Sequence, residues 1–258
     1  MADVDERIAA LDLTLFDLVS TQTYPEDRSS LLLLQRCVRR AGDYIYAEIG
    51  SHLGGTLQPH LVDSRCSLIY SIDKRPLTLP DEYVGAVYYP ENSTERMLDG
   101  LRAAFPESPI EKIRTFDSDV RELDPKEFSE APDFCFIDAE HTDKAVVADF
   151  RFCLSICKSD AVIAFHDAAI ILGGLARIRR QLRESGIRFQ HLLLPRHVYV
   201  ILLNGAMAKF ATELQEASVN ESLYMRRAGW ELLKSKLARR FPWLQKAWHA
   251  VKGKTSNR

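Results

Sequence analysis

Asp138, Glu140 and His141 lie within four positions of one another, directly after the apolar run at residues 134–137. Ordinary turn chemistry is met by Gly, Asn or Ser. Three titratable groups in that place point instead to proton or cation chemistry. The arrangement recurs where residues 161–165 (AVIAF) stop at His166 and Asp167. If the two runs are neighbouring strands, Asp138 and Asp167 meet, with His141 and His166 beside them. Two carboxylates about 4 Å apart repel by roughly 4 kcal/mol at an effective dielectric near 20, so a proton or a cation must offset them. The alternative is structural: each Asp caps the helix that follows, and the histidines are packing residues.

These ends are positioned by an alternation of elements. Short apolar runs at residues 44–49, 67–72, 113–116, 134–137 and 161–165 are rich in Ile, Val, Tyr and Phe, and helix-compatible stretches mostly separate them. This is the pattern of a parallel sheet covered on both faces. Residues 189–194 and 198–203 are joined by too short a link for a helical crossover, so they form an antiparallel hairpin at a sheet edge. The expected fold class is α/β, with a seven-stranded sheet of five parallel strands plus an antiparallel C-terminal hairpin. At 258 residues and 46% hydrophobic content the chain can bury such a core. The domain boundaries expected are an N-terminal helical cap at 1–42, the α/β domain at 43–206 and a helical basic tail at 207–258.

In open α/β sheets ligands gather at the carboxyl ends of the strands. The first strand leads into YAEIGSHLGGT, where Gly50, Gly54 and Gly55 allow backbone N–H groups to approach a ligand ahead of a helix. The spacing is not GxGxxG, which disfavours an ordinary dinucleotide site. The second strand ends in Asp73, placed to accept hydrogen bonds from both hydroxyls of a ribose. Glycine loop and acid together point to a nucleoside ligand.

In their order, EIGSHLGGT, SIDKRP, FIDAEHTDKAVVADF and VIAFHDA resemble the class I S-adenosylmethionine-dependent methyltransferases, Rossmann-like enzymes. The likeness is to the bacterial branch with D-x-x-H and HD at its fourth and fifth strand ends, and it spans about residues 44–205. It implies cofactor contacts from Glu48, Gly50, Ser51, Gly54, Asp73, Asp117, Ser118 and Asp138. Methyl transfer to an alcohol needs an oxygen nucleophile that is losing its proton. A divalent ion, Mg2+ or Mn2+, can bind the hydroxyl and lower its pKa. Asp138 and Asp167 are then the natural ligands, with His166 as a third, and His141 or His166 is the natural base. Metal-dependent relatives differ here: some follow the fifth-strand Asp with Asn, where this chain has Ala168. Others carry two successive acids, where this chain has His166 and Asp167. The expected activity is O-methylation of a sugar or other small polar hydroxyl acceptor. The alternatives are a non-catalytic adaptor of a membrane-associated glycan assembly complex, or a nicotinamide-dependent oxidoreductase.

The formal charge of −2 is unevenly spread: residues 225–258 carry +9, and the remainder −11. All three tryptophans (Trp230, Trp243, Trp248) lie in that basic tail. Such a stripe either docks on its own acidic domain or a second subunit, giving a homodimer, or meets an anionic membrane surface. Nucleic acid is not an expected partner, since no recognised module is visible and the acidic body repels phosphates. Five unevenly spaced cysteines argue against a disulfide framework. Without a membrane-length apolar run or a signal-like start, the expected compartment is the cytosol, with peripheral contact at the inner membrane face through the tail.

Overall fold

Val, Ile, Tyr and Phe dominate the strands because branched and aromatic side chains pack well on a pleated surface. The computed structural model describes residues 3–90 and 92–241. It opens with α1 (Val4–Ala9) and a 3-10 turn (Leu13–Phe16), followed by α2 (Pro25–Arg40). Pro25 starts α2 where a missing N–H costs nothing. The alternation then runs β1 (Tyr44–Ile49), α3 (Gln58–Val62) and β2 (Cys66–Ile72). After β2 the chain makes a two-stranded hairpin, β3 (Thr78–Asp81) and β4 (Gly85–Tyr88), before α4 (Thr94–Ala104) and β5 (Ile113–Phe116). Next come β6 (Phe134–Ile137), α5 (Asp143–Ile156), β7 (Val162–Phe165) and α6 (Leu172–Glu184). The terminal strands β8 (Phe189–Leu193) and β9 (Tyr199–Leu203) precede α7 (Gly205–Ala217) and α8 (Glu221–Arg240).

The main sheet has seven strands in the order β5-β2-β1-β6-β7-β9-β8. The five expected strands are parallel, and β9 runs antiparallel to both β7 and β8. Every residue of β1, β6, β7 and β9 is buried, as a sheet covered on both faces requires. Alternate residues feed two cores. Tyr46, Phe134 and Val200 face the layer built with the N-terminal helices, and Ala47, Cys135 and Ile201 face the layer built with α5 and α6. Full burial of an aliphatic or aromatic side chain is worth about 1.5–3 kcal/mol, so the two layers fix the register. N-terminal Ile8, Phe16 and Leu34 belong to the same core as the sheet.

That register aligns the strand ends. Phe116, Ile72, Ile49, Ile137 and Phe165 are successive partners across β5, β2, β1, β6 and β7. The next residue of each strand, namely Asp117, Asp73, Gly50, Asp138 and His166, therefore emerges on one rim.

The described part of the basic tail, α8, lies against its own domain. Glu221 pairs with Arg179 and His191, each at 2.9 Å, and the Tyr224 hydroxyl lies 2.6 Å from His197 Nδ1. Toward its end Ser235 donates to the Tyr83 carbonyl, and Lys236 pairs with Glu82 at 2.5 Å. Trp230, Leu233 and Leu237 stay exposed. Trp243 and Trp248 lie outside the described residues. No described helix is long and apolar enough to cross a membrane.

Candidate active site

The rim encloses a cavity of about 420 Å³. Gly50, Ser51, Asp73, Ser118, Asp138, His141, His166 and Asp167 all line it. Gly50 has φ +94°, and a Cβ there would stand 2.1 Å from the Asp138 carbonyl oxygen. Only glycine lets the loop after β1 pass so close to the end of β6. Ser51 is tied to Ser71 through a 2.6 Å hydroxyl contact.

Asp73 is held from below and open above. One carboxylate oxygen accepts from the His52 backbone N–H at 2.9 Å and the other from the Arg75 N–H at 2.8 Å. The Arg75 guanidinium also lies 3.5 Å from the first of these oxygens, and a carboxylate's roughly four acceptor positions leave it able to take a further donor. Lys74, Asp119 and Asp149 also line the cavity. Lys74 Nζ lies 2.8 Å from Glu140 and 3.7 Å from Asp119. Burial, reinforced by the Asp119 charge, pushes Asp149 up to about 7. It is a buried carboxyl able to donate as well as accept at the neutral end of its range.

Three of the expected cofactor residues do not line the cavity. Glu48 is buried beneath the loop, where the hydroxyls of Tyr46 and Thr56 both donate to it. Burial outweighs those bonds and pushes its pKa up to about 8. Gly54, at φ +80°, faces Met97 and Leu101 of α4. Asp117 points outward to Thr94 and Arg75.

At the ends of β6 and β7 four groups converge. His141 Nε2 lies 3.3 Å from Asp167 Oδ2 and 3.6 Å from Asp138 Oδ1. His166 Nδ1 lies 3.1 Å from the same Asp138 oxygen and 3.4 Å from the same Asp167 oxygen. Burial works against charge on every member, but the groups sustain one another. The carboxylates of Asp138 and Asp81 push His141 up to about 10. His166 is likewise raised well above the ordinary imidazole value, with Asp138 the main support. The two cationic rings in turn hold Asp138 and Asp167 below the usual carboxylate range. Asp167 has φ +50°, a left-handed conformation rare outside glycine, which turns its side chain back over the rim.

Each histidine is oriented by an acid that local sequence does not single out. His141 Nδ1 lies 3.0 Å from Asp81 in the β3–β4 hairpin. The other Asp81 oxygen accepts from the backbone N–H groups of Tyr83 and Val84, which tightens the hairpin tip. His166 Nε2 lies 3.3 Å from Asp27 of α2. Asp27 is fully buried and also accepts from the backbone N–H groups of Tyr24 and His197. Asp27 could have been flagged only as an acid in the first turn of a helix, and Asp81 only as a turn former.

The cation test can be made on these atoms. Suitable ligand atoms of Asp138, His141 and Asp167 all lie within 4.8 Å of one another. His141 Nε2 is buried without a hydrogen-bond partner while its Nδ1 is tied to a carboxylate. A metal-ligating histidine has this arrangement, with the second nitrogen fixing tautomer and ring orientation. The donor set of Asp138, His141 and Asp167 fits a divalent ion, and His166 Nδ1 lies against the same two oxygens. His166 stays against both acids with its far nitrogen on Asp27.

Tyr83, Val84 and Tyr89 of the hairpin region and the 20–23 segment (STQT) also line the cavity. Burial and the surrounding carboxylates, Asp138 foremost among them, push the Tyr89 hydroxyl up to about 12, so it stays a donor.

A family model for the methyltransferase domain matches residues 30–168. Among solved structures, CalS11, a calicheamicin methyltransferase, superposes with a TM-score of 0.51 at 16% identity, over 78% of this chain and 91% of that one. An apo structure of CalS11, described as a TDP-rhamnose 3'-O-methyltransferase of calicheamicin biosynthesis, gives 0.52 at 15% identity, over 78% and 93%. At these identities the likeness is one of fold. No curated protein is matched by the sequence.

Proposed function

The chain belongs to the class I S-adenosylmethionine-dependent methyltransferases, and from that premise we propose that it methylates a hydroxyl group of a sugar or other small polar acceptor. The observation that carries the reading is the adjacency, in one cavity, of the Gly50–Asp73 nucleoside cradle and the Asp138–His141–Asp167 cluster. S-adenosylmethionine bound there supplies an electrophilic methyl group on a sulfonium. Asp73 would hold the ribose hydroxyls, and the loop at Gly50 would face the methionine part. Lys74, Asp119 and Asp149 surround the base.

The acceptor enters from the side of the hairpin and the 20–23 segment, so its hydroxyl arrives over Asp138 and Asp167. As the C–O bond forms the methyl–sulfur bond would break, leaving S-adenosylhomocysteine, and the hydroxyl proton passes to a carboxylate of the cluster. Asp138, His141 and Asp167 would hold a divalent ion, which when bound lowers the pKa of the acceptor hydroxyl and offsets the paired carboxylates. His141 must give up its ring proton to serve as a ligand, so ion binding is coupled to proton release. His166, braced by Asp27, keeps Asp138 and Asp167 facing the acceptor.

Calorimetric titration with S-adenosylmethionine, S-adenosylhomocysteine and NAD tests the cofactor. The two sulfur compounds bind and NAD does not; binding of NAD alone, or of none of the three, overturns the reading. Chelation followed by readdition of Mg2+ or Mn2+ tests the ion, and full activity in excess chelator removes it from the account.

A further inference from the structure

A second cleft of about 650 Å³ adjoins the cavity, and Tyr83, Asp167 and Ile170 line both. The far wall is made by α8 and the turn between β8 and β9, which contribute Tyr224, Arg227, Arg196 and His197. This wall is anchored. The Tyr224 hydroxyl meets His197 Nδ1, the His197 backbone N–H donates to the buried Asp27, and α8 is tied at both ends by the contacts of Glu221 and Lys236.

The charges of the cleft do not balance locally. Its two acids already have cations: Asp167 lies between His141 and His166, and Glu231 is bound by Lys234. Among the described residues neither Arg196 nor Arg227 pairs with a carboxylate, and the Arg196 guanidinium instead lies 4.0 Å over the Tyr24 ring. A guanidinium presents a planar fork of donors that suits phosphate and carboxylate oxygens. Two such groups, open to solvent and facing a cleft that leads to the transfer site, are placed to receive an anion.

We propose that this cleft is an acceptor subsite for an anionic group, a phosphate ester or a carboxylate, held by Arg196 and Arg227 while the acceptor hydroxyl reaches past Asp167. The direction of the hydroxyl rests on the methyltransferase reading; anion binding does not, and can be measured alone. The full chain, saturated with S-adenosylhomocysteine in metal-free buffer, is titrated with three probes of one shape: phenyl phosphate, benzoate and benzyl alcohol. The anions bind at least tenfold more tightly than the alcohol, and the Arg196→Gln/Arg227→Gln variant loses that margin while its affinity for S-adenosylhomocysteine stays unchanged. Preference for phenyl phosphate over benzoate identifies a phosphate ester, and equal binding of the two a carboxylate-tolerant site. If the anions bind no better than benzyl alcohol, or the double variant keeps the margin, the subsite is overturned. Failure of S-adenosylhomocysteine to bind instead strikes the methyltransferase reading, so the two failures are distinguishable.

Discussion

The Asp81 carboxylate stands 3.0 Å from His141 Nδ1, across sixty positions of sequence. Through this contact the β3–β4 hairpin, which lines the cavity, also sets the ring that faces Asp138 and Asp167. Asp81→Asn removes the charge from that contact and leaves its size. Loss of an orienting acid behind a metal-ligating histidine typically costs about 10–100-fold in metal affinity. Mn2+ affinity measured by calorimetry is expected to fall within that range, with S-adenosylhomocysteine affinity changed by no more than a few fold. Unchanged Mn2+ affinity contradicts the role given to Asp81.

Asp138→Ala and Asp167→Ala are each expected to abolish methyl transfer while leaving S-adenosylhomocysteine affinity within a few fold. Both residues line the cavity beside His141 and His166, and neither is hydrogen-bonded to Asp73. A parallel loss of cofactor binding and thermal stability in both variants shows a structural role instead.

Two glycines give opposite expectations. Gly50→Ala puts a methyl 2.1 Å from the Asp138 carbonyl oxygen at φ +94°. Strain of this kind costs on the order of 1–3 kcal/mol, so the melting temperature drops and cofactor affinity falls at least tenfold. Gly100, within α4, has nothing within 4 Å of a built Cβ. Gly100→Ala is expected to stabilise by up to about 1 kcal/mol through helix propensity, with no effect on binding. Melting curves of the two variants check both signs, and a rise for Gly50→Ala contradicts the close-packing argument.

Glu48 makes stability depend on pH. Its folded pKa of about 8 lies above the ordinary 4.5 because burial disfavours its charge. Between those values the unfolded chain releases the proton and the folded chain keeps it, so this group lowers stability as pH rises through the window. Below about pH 4.5 it contributes nothing. Glu48→Gln removes the dependence, so the variant gains on the wild type steadily from pH 5 to 8.5 in thermal melts. Parallel pH profiles for the two proteins contradict a neutral buried Glu48.

The sequence carried the sheet because each strand is a short, doubly buried run, and such runs keep their apolar character wherever they pair. It carried the rim for the same reason: Gly50, Asp73, Asp138 and His166 each directly follow a run, so a common register brings them level. The hairpin was not legible. Strands β3 and β4 are four residues each, largely exposed, with Pro80 in the first, so no alternation marks them. Asp27 and Asp81 are not marked in the sequence because their partners are distant in the chain, and an acid at a helix start or a turn has an ordinary local explanation.

The central claim is that one rim holds the nucleoside at Asp73 and performs the transfer at Asp138 and Asp167. Crystals grown with S-adenosylhomocysteine and Mn2+ test it most directly. The account expects the ribose hydroxyls on the Asp73 carboxylate, the sulfur facing Asp138, and an anomalous peak shared by Asp138, His141 and Asp167. A nucleoside bound away from Asp73, or a cavity that holds none at saturating ligand, contradicts it.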